Sequence, residues 1–237
     1  MKKVGFIEKL IPVYIPNRVV LSIFVILSFF TGKVRKKIVA FHLEENERIL
    51  REGNNSIFDG QGFIENQSKW EKVCFGSHKK SNMSYSGCEI IATWNALMSM
   101  HAAMPRMPEL IGYFERHGVT LKGGFGIAPS APARYMKKRG YRVKRLTTRN
   151  SEAIRRFGDS YDSFLVTFYW DRENIRKQLH TVNISKKGDE FYVHNIYKRE
   201  KGGRFVQSGP FRDLAEAIYK IDEKAAPLVI YGIAKEG

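Results

Sequence analysis

The sequence predicts an α+β fold in which helices come first and an antiparallel sheet last. Three observations carry that expectation. Apolar residues recur at helical spacing behind Gly87, a β-rich apolar run extends from Ser163 to Trp170, and two further β-rich runs flank the turn Lys186-Lys187-Gly188-Asp189. The 237 residues, 43% of them hydrophobic, suffice for one ordinary core, and near-average glycine and proline exclude a disordered chain.

At the N-terminus, Val19 to Phe30 reads VVLSIFVILSFF, an apolar run of 12 residues between Arg18 and the basic stretch Lys33 to Lys37. A membrane-spanning helix needs about 20 apolar residues. No small-x-small cleavage site follows, as a secretory signal would require. Residues 19–30 are therefore expected to dip into or anchor on a membrane, with a buried core helix as the competing reading. From His42 to Ile64, with Glu44, Glu45 and Glu47, the chain reads as a polar helix entering a loop rich in glycine and asparagine. Residues 1–64 are thus expected to form an N-terminal segment and residues 65–237 the main domain.

Cys88 lies in SGCEIIATWNALM. Ile90, Ile91, Trp94, Leu97 and Met98 fall on a helical pattern, so a helix starts at or beside Cys88. Free N–H groups and the positive dipole end at that position stabilise a thiolate, which makes Cys88 a candidate nucleophile. A buried structural cysteine is the plain alternative. A second helix is predicted over Met107 to His117, ending at Gly118. The loop with Gly123, Gly124 and Gly126 lacks the spacing of a phosphate cradle and suits a backbone wall beside an extended peptide. Pro129 and Pro132 then open a helix that Gly140 closes. Strands are predicted at Ser163–Trp170, His180–Ile184, Glu190–Tyr197 and Leu228–Ile233, with a short helix at Asp213–Ile221.

The formal net charge is +16, carried in clusters such as Lys137, Lys138 and Arg139. Such a balance suits nucleic acid, an anionic membrane surface or an acidic substrate. No nucleic-acid-binding motif accompanies it, and the aromatics sit in apolar runs rather than between basic residues, so nucleic acid is not an expected partner. A solvated basic surface is the plain reading, and an anionic membrane surface stays open. Cys74 and Cys88 are too few for a disulfide framework, and without a CxxC pair neither zinc nor any other cofactor is expected. A Cys74–Cys88 bridge would consume the candidate nucleophile. Oligomeric state has no signature in the sequence.

A cysteine nucleophile needs a base and a group that orients the base. His180 opens one strand of the predicted hairpin and Asn195 stands near the end of the other, so the turn brings the two to the same end of the sheet. His194 is expected on the opposite face of its strand; His78 and His101 remain as other candidate bases. With SGCEIIATWNAL, GGFGIAP followed by ARYMKKRGY, and HTVNI before GDEFYVHNIY, the chain resembles the papain-like cysteine peptidases. The resemblance extends to the double-glycine leader peptidases of bacteriocin exporters and their stand-alone bacterial relatives, and covers roughly residues 68–234. That resemblance implies a papain-like fold, with N-terminal helices packed on a C-terminal antiparallel sheet, and a cysteine peptidase acting on a peptide or peptidyl substrate. It implies Cys88 as nucleophile, His180 as base, Asn195 as the group orienting it, and Asn82, six residues before the cysteine, as oxyanion donor. Acyl transfer by the same pair, or a domain that binds peptide without cleaving it, are the alternatives. Glu89 and an asparagine in place of glutamine at position 82 depart from the family pattern.

Overall fold

The computed structural model describes residues 11, 14–31, 33–52, 62–174, 178–196, 208–222 and 224–236. Among them the helices are α1 (Asn17–Thr31), α2 (Lys36–Glu52), α3 (Met83–Ser86), α4 (Cys88–Ser99), α5 (Met107–His117), α6 (Ser130–Lys138), α7 (Ser151–Gly158) and α8 (Leu214–Tyr219). The strands are β1 (Tyr141–Leu146), β2 (Ser163–Tyr169), β3 (Leu179–Lys187), β4 (Glu190–His194) and β5 (Ala226–Lys235). They form one antiparallel sheet in the order β1-β5-β2-β3-β4. The α+β expectation holds. The short helix α3, the edge strand β1 and α7, which comes between β1 and β2, were not anticipated.

The sheet has two cores because strand side chains alternate between its faces. Leu165, Tyr169, Val229 and Tyr231 face one way and join Ile90, Ile91, Trp94 and Leu97 of α4. Phe164, Val166, Phe168, Val182 and Ile184 face the other way and join Ile154 of α7 with Leu214 and Ile218 of α8. Central β2 is therefore buried along its whole length, which explains its unbroken apolar run. Helix α4 is apolar nearly all round and is buried nearly all round. Its start is set by Gly87: a Cβ there would lie 2.6 Å from both the Met83 carbonyl oxygen and its sulfur, so α3 and α4 can meet so closely only through glycine.

Residues before 65 are not a detached appendage. Val20, Leu21 and Phe24 of α1, Val34, and Val39 of α2 belong to the same core as α4. Val20, Leu21 and Phe24 of the 19–30 run thus belong to the core, while most of the run faces outward, with Ile26, Phe29 and Phe30 exposed.

A segment over residues 62–67 crosses α4 and ties it to the hairpin. Asn95, fully buried in α4, accepts the Ile64 N–H at 2.8 Å and donates to the Ile64 carbonyl at 2.9 Å. Trp94 Nε1 donates to the Gly62 carbonyl at 3.1 Å. The Asn95 bonds match both ends of its buried amide to main-chain groups.

Candidate active site

Cys88 is the first residue of α4, a free thiol, half-buried. Its Sγ–H donates to Glu89 Oε2 at 3.2 Å. Glu89 does not point along the helix to solvent: its carboxylate turns inward to the sheet and is 5% exposed. Glu89 Oε1 accepts the Thr181 hydroxyl at 3.3 Å, and Thr181 Oγ1 stands 2.9 Å from Thr167 Oγ1. The three side chains therefore form a relay, with Thr167 donating to Thr181 and Thr181 to Glu89. Gly126, at φ +69°, stands nearby; a Cβ there would come 3.9 Å from Glu89 Oε2.

Burial pushes the Cys88 thiol well above its ordinary value, and the neighbouring Glu89 charge adds to the effect. Main-chain N–H groups of Thr181 and Glu89, directed at the sulfur, oppose it only in part. Burial likewise raises the Glu89 carboxyl to about 7, against hydrogen bonds from Cys88, its own N–H and Thr181. The site thus holds a neutral thiol beside a carboxyl that changes charge near neutrality.

His180 and Asn195 are brought together, but not at Cys88. Thr181 takes the slot facing α4, so alternation sends His180 to the other face of the sheet. There its ring stacks on Trp170 (centroids 5.1 Å, planes 15° apart) and meets Phe168 edge-on. Nε2–H donates to the Asn195 main-chain carbonyl at 3.1 Å. Burial lowers the imidazole to about 4, so it is neutral. Among the described residues no hydrogen bond joins His180 to Cys88, and the expectation that His180 stands at the sulfur is corrected accordingly. The Asn195 side chain also departs from its expected role of holding the imidazole. It pairs with Gln67 instead, accepting the Gln67 N–H at 3.0 Å and donating to Gln67 Oε1 at 3.1 Å. Gln67 in turn donates to the Met83 and Ser84 carbonyls, which links Asn195 to the helix just before Cys88.

Asn82 caps α3, its Oδ1 accepting the Tyr85 N–H at 2.8 Å, so its carbonyl is committed to the helix start. His194 lies on the α4 face, not the opposite one, donating through Nδ1 to Glu65 at 2.7 Å and accepting from Ser185 at 2.8 Å, under the Phe63 ring. His78 packs beneath Gly124, and exposed His101 follows the end of α4. A shallow cleft of about 220 Å³, lined by Ser130, Arg134, Lys137, Arg145 and Tyr231, includes none of the Cys88 group. Sequence reasoning missed Gln67 and Thr181, and it read Glu89 only as a departure. The signal available was a charged residue in the first turn of a helix whose Ile90, Ile91, Trp94 and Leu97 mark it as buried.

Glu89 and His180, buried on opposite faces of the sheet, make stability depend on pH in opposite directions. A carboxyl raised from 4.5 to about 7 by folding has no effect below pH 4.5 and destabilises increasingly from there to about pH 7. An imidazole lowered from 6.5 to about 4 leaves stability intact above pH 6.5 and removes it as pH falls toward 4. Each effect is roughly 3 kcal/mol in full. Denaturant midpoints of the wild type should therefore vary little between pH 4.5 and 6.5, whereas those of Glu89→Gln should fall steadily on acidification through that window.

No family model, curated protein or solved structure matches this chain.

Proposed function

We propose that the chain is a papain-like thiol hydrolase of peptide-type acyl substrates, in which Cys88 is the nucleophile and Glu89 receives its proton. The hydrogen bond from Cys88 Sγ to the buried Glu89 carboxylate carries the proposal, since a nucleophile held by a base that is itself oriented, here by Thr181, is the minimum for covalent catalysis. The neutral thiol does not oppose this. A hydroxyl nucleophile also starts neutral and gives up its proton only as it attacks, to a base with a value near 7.

In the first half-reaction the Cys88 proton passes to Glu89 as the sulfur bonds to the acyl carbon. Glu89 then returns that proton to the departing amine, leaving a thioester. Water attacks the thioester, giving one proton to Glu89, which restores it to the sulfur as the acid leaves. The Cys88 main-chain N–H, which a helix start leaves without an intrahelical partner, is the donor nearest the developing oxyanion. Were an amine to reach the thioester in place of water, the product would be a transferred acyl group.

The test is release of new amine termini from a peptide library by the full chain and not by Cys88→Ala. A ligated product without a free acid would assign transfer, and no Cys88-dependent product would overturn the enzyme. A second reading, a papain-like domain that binds peptide without cleaving it, is favoured by one observation: the imidazole lies on the far face of the sheet. Iodoacetamide separates general-base chemistry from a preformed thiolate. A thiol raised by burial should be alkylated at pH 7.5 at least about tenfold more slowly than a free cysteine.

A further inference from the structure

Helix α1 is apolar on every side, yet only Val20, Leu21 and Phe24 are buried against the domain. Val19, Ile23, Val25 and Ile26 are about half exposed, and Phe29 and Phe30 are 81% and 79% exposed. Beside them stand Leu121 and Phe125, also exposed, with the Phe125 ring 5.6 Å from that of Phe24. A helix apolar all round is one that something covers all round, and soluble monomers rarely expose so continuous an apolar patch. The edge of the patch is basic. Arg18, Lys33, Arg35, Lys36, Lys37 and Lys122 are exposed, and none makes an ion pair among the described residues. No acidic residue occurs between Tyr14 and Leu43.

We propose that this face docks on an anionic phospholipid surface, with α1 lying in the plane of the interface and Phe29, Phe30 and Phe125 inserted among the acyl chains. Charge complementarity selects that occupant: a basic rim around an apolar stripe matches lipid headgroups of negative charge over a hydrocarbon interior. Spanning is not available to α1. Its 15 residues reach about 22 Å, short of a hydrocarbon core of about 30 Å. Both ends are also tied to the domain, Asn17 donating to the Pro227 carbonyl at 3.0 Å and Thr31 accepting the Leu121 N–H at 2.8 Å. Docking in this pose also fixes where the thiol sits. Phe125 is followed directly by Gly126, where a Cβ would come 3.9 Å from Glu89 Oε2, so one loop separates the lipid face from the Cys88 group. On the function proposed above, the substrate would be a peptide presented at the membrane surface.

Sedimentation of the full chain with phosphatidylcholine vesicles, plain or with a third of the lipid phosphatidylserine, tests the docking. Binding is expected to the anionic vesicles and to weaken with added salt. Phe29→Ser/Phe30→Ser and Lys36→Glu/Lys37→Glu should each reduce it by about tenfold or more, with unchanged circular dichroism. Cys88→Ala should bind as the wild type does, so failure of the thiol chemistry leaves this result standing. Absence of binding to anionic vesicles, or undiminished binding by both double variants, overturns the proposal. So does a dimer in gel filtration that Phe29→Ser/Phe30→Ser dissolves, which would assign the face to a second copy of the chain.

Discussion

Glu89→Gln is expected to lower the rate of peptide turnover by roughly a thousandfold, the usual range for loss of a general base, while the protein stays folded. Glutamine keeps the volume and the acceptor for Thr181 but cannot take a proton from Cys88. In the wild type the rate should rise with pH through about 7, as the Glu89 carboxyl loses its proton, and the residual rate of Glu89→Gln should lack that step. His180→Gln, measured beside it, should retain most of the activity, because the imidazole stacks on Trp170 and meets the Asn195 carbonyl rather than the thiol. The opposite pair of results, with His180→Gln inactive and Glu89→Gln faster, would return the base role to the imidazole. Removing a neighbouring carboxylate would then simply have lowered the thiol.

Asn195→Ala is expected to cost roughly 4 kcal/mol of folding stability, read from denaturant midpoints. The substitution strands the Gln67 N–H and side-chain carbonyl in a fully buried place. It also puts a Cβ without compensating hydrogen bonds at φ +68°, a left-handed conformation that asparagine tolerates and alanine resists. Asn195→Gly removes the hydrogen bonds but not the conformational freedom, so it should recover about 1 kcal/mol of the loss. A residue acting mainly on the imidazole would instead leave stability nearly unchanged.

The parts of the fold legible in sequence were those with dense apolar spacing. Helix α4, α5 and the β3–β4 hairpin show it; β1 does not, because YRVKRL lies at the sheet edge with basic residues on its outward positions. Helix α7 was equally hidden, with only Ile154 and Gly158 fully buried among eight residues. The site was half legible for a different reason. Position along a strand follows from the turn, but the face a residue occupies reverses with each step. The register pairs Asn183 with His194, which leaves Asn195 beyond the ladder and puts Thr181, not His180, on the α4 side. Nothing in the spacing of His180 and Asn195 distinguishes those two placements. Gln67 was invisible because its side-chain partners are main-chain carbonyls of α3 and an asparagine 128 residues away in the chain, neither of which leaves a spacing pattern.

The crossing segment at 62–67 has a consequence for synthesis. It leaves the ribosome well before its second partner exists, since Asn95 follows Ile64 by 31 residues but Asn195 follows Gln67 by 128. Until β4 is made, Gln67 has a place on α3 and none on the sheet. A nascent chain stopped short of Asn195 therefore holds its thiol helix on β2 and β3 without the side-chain amide clasp that ties α3 to the end of the hairpin.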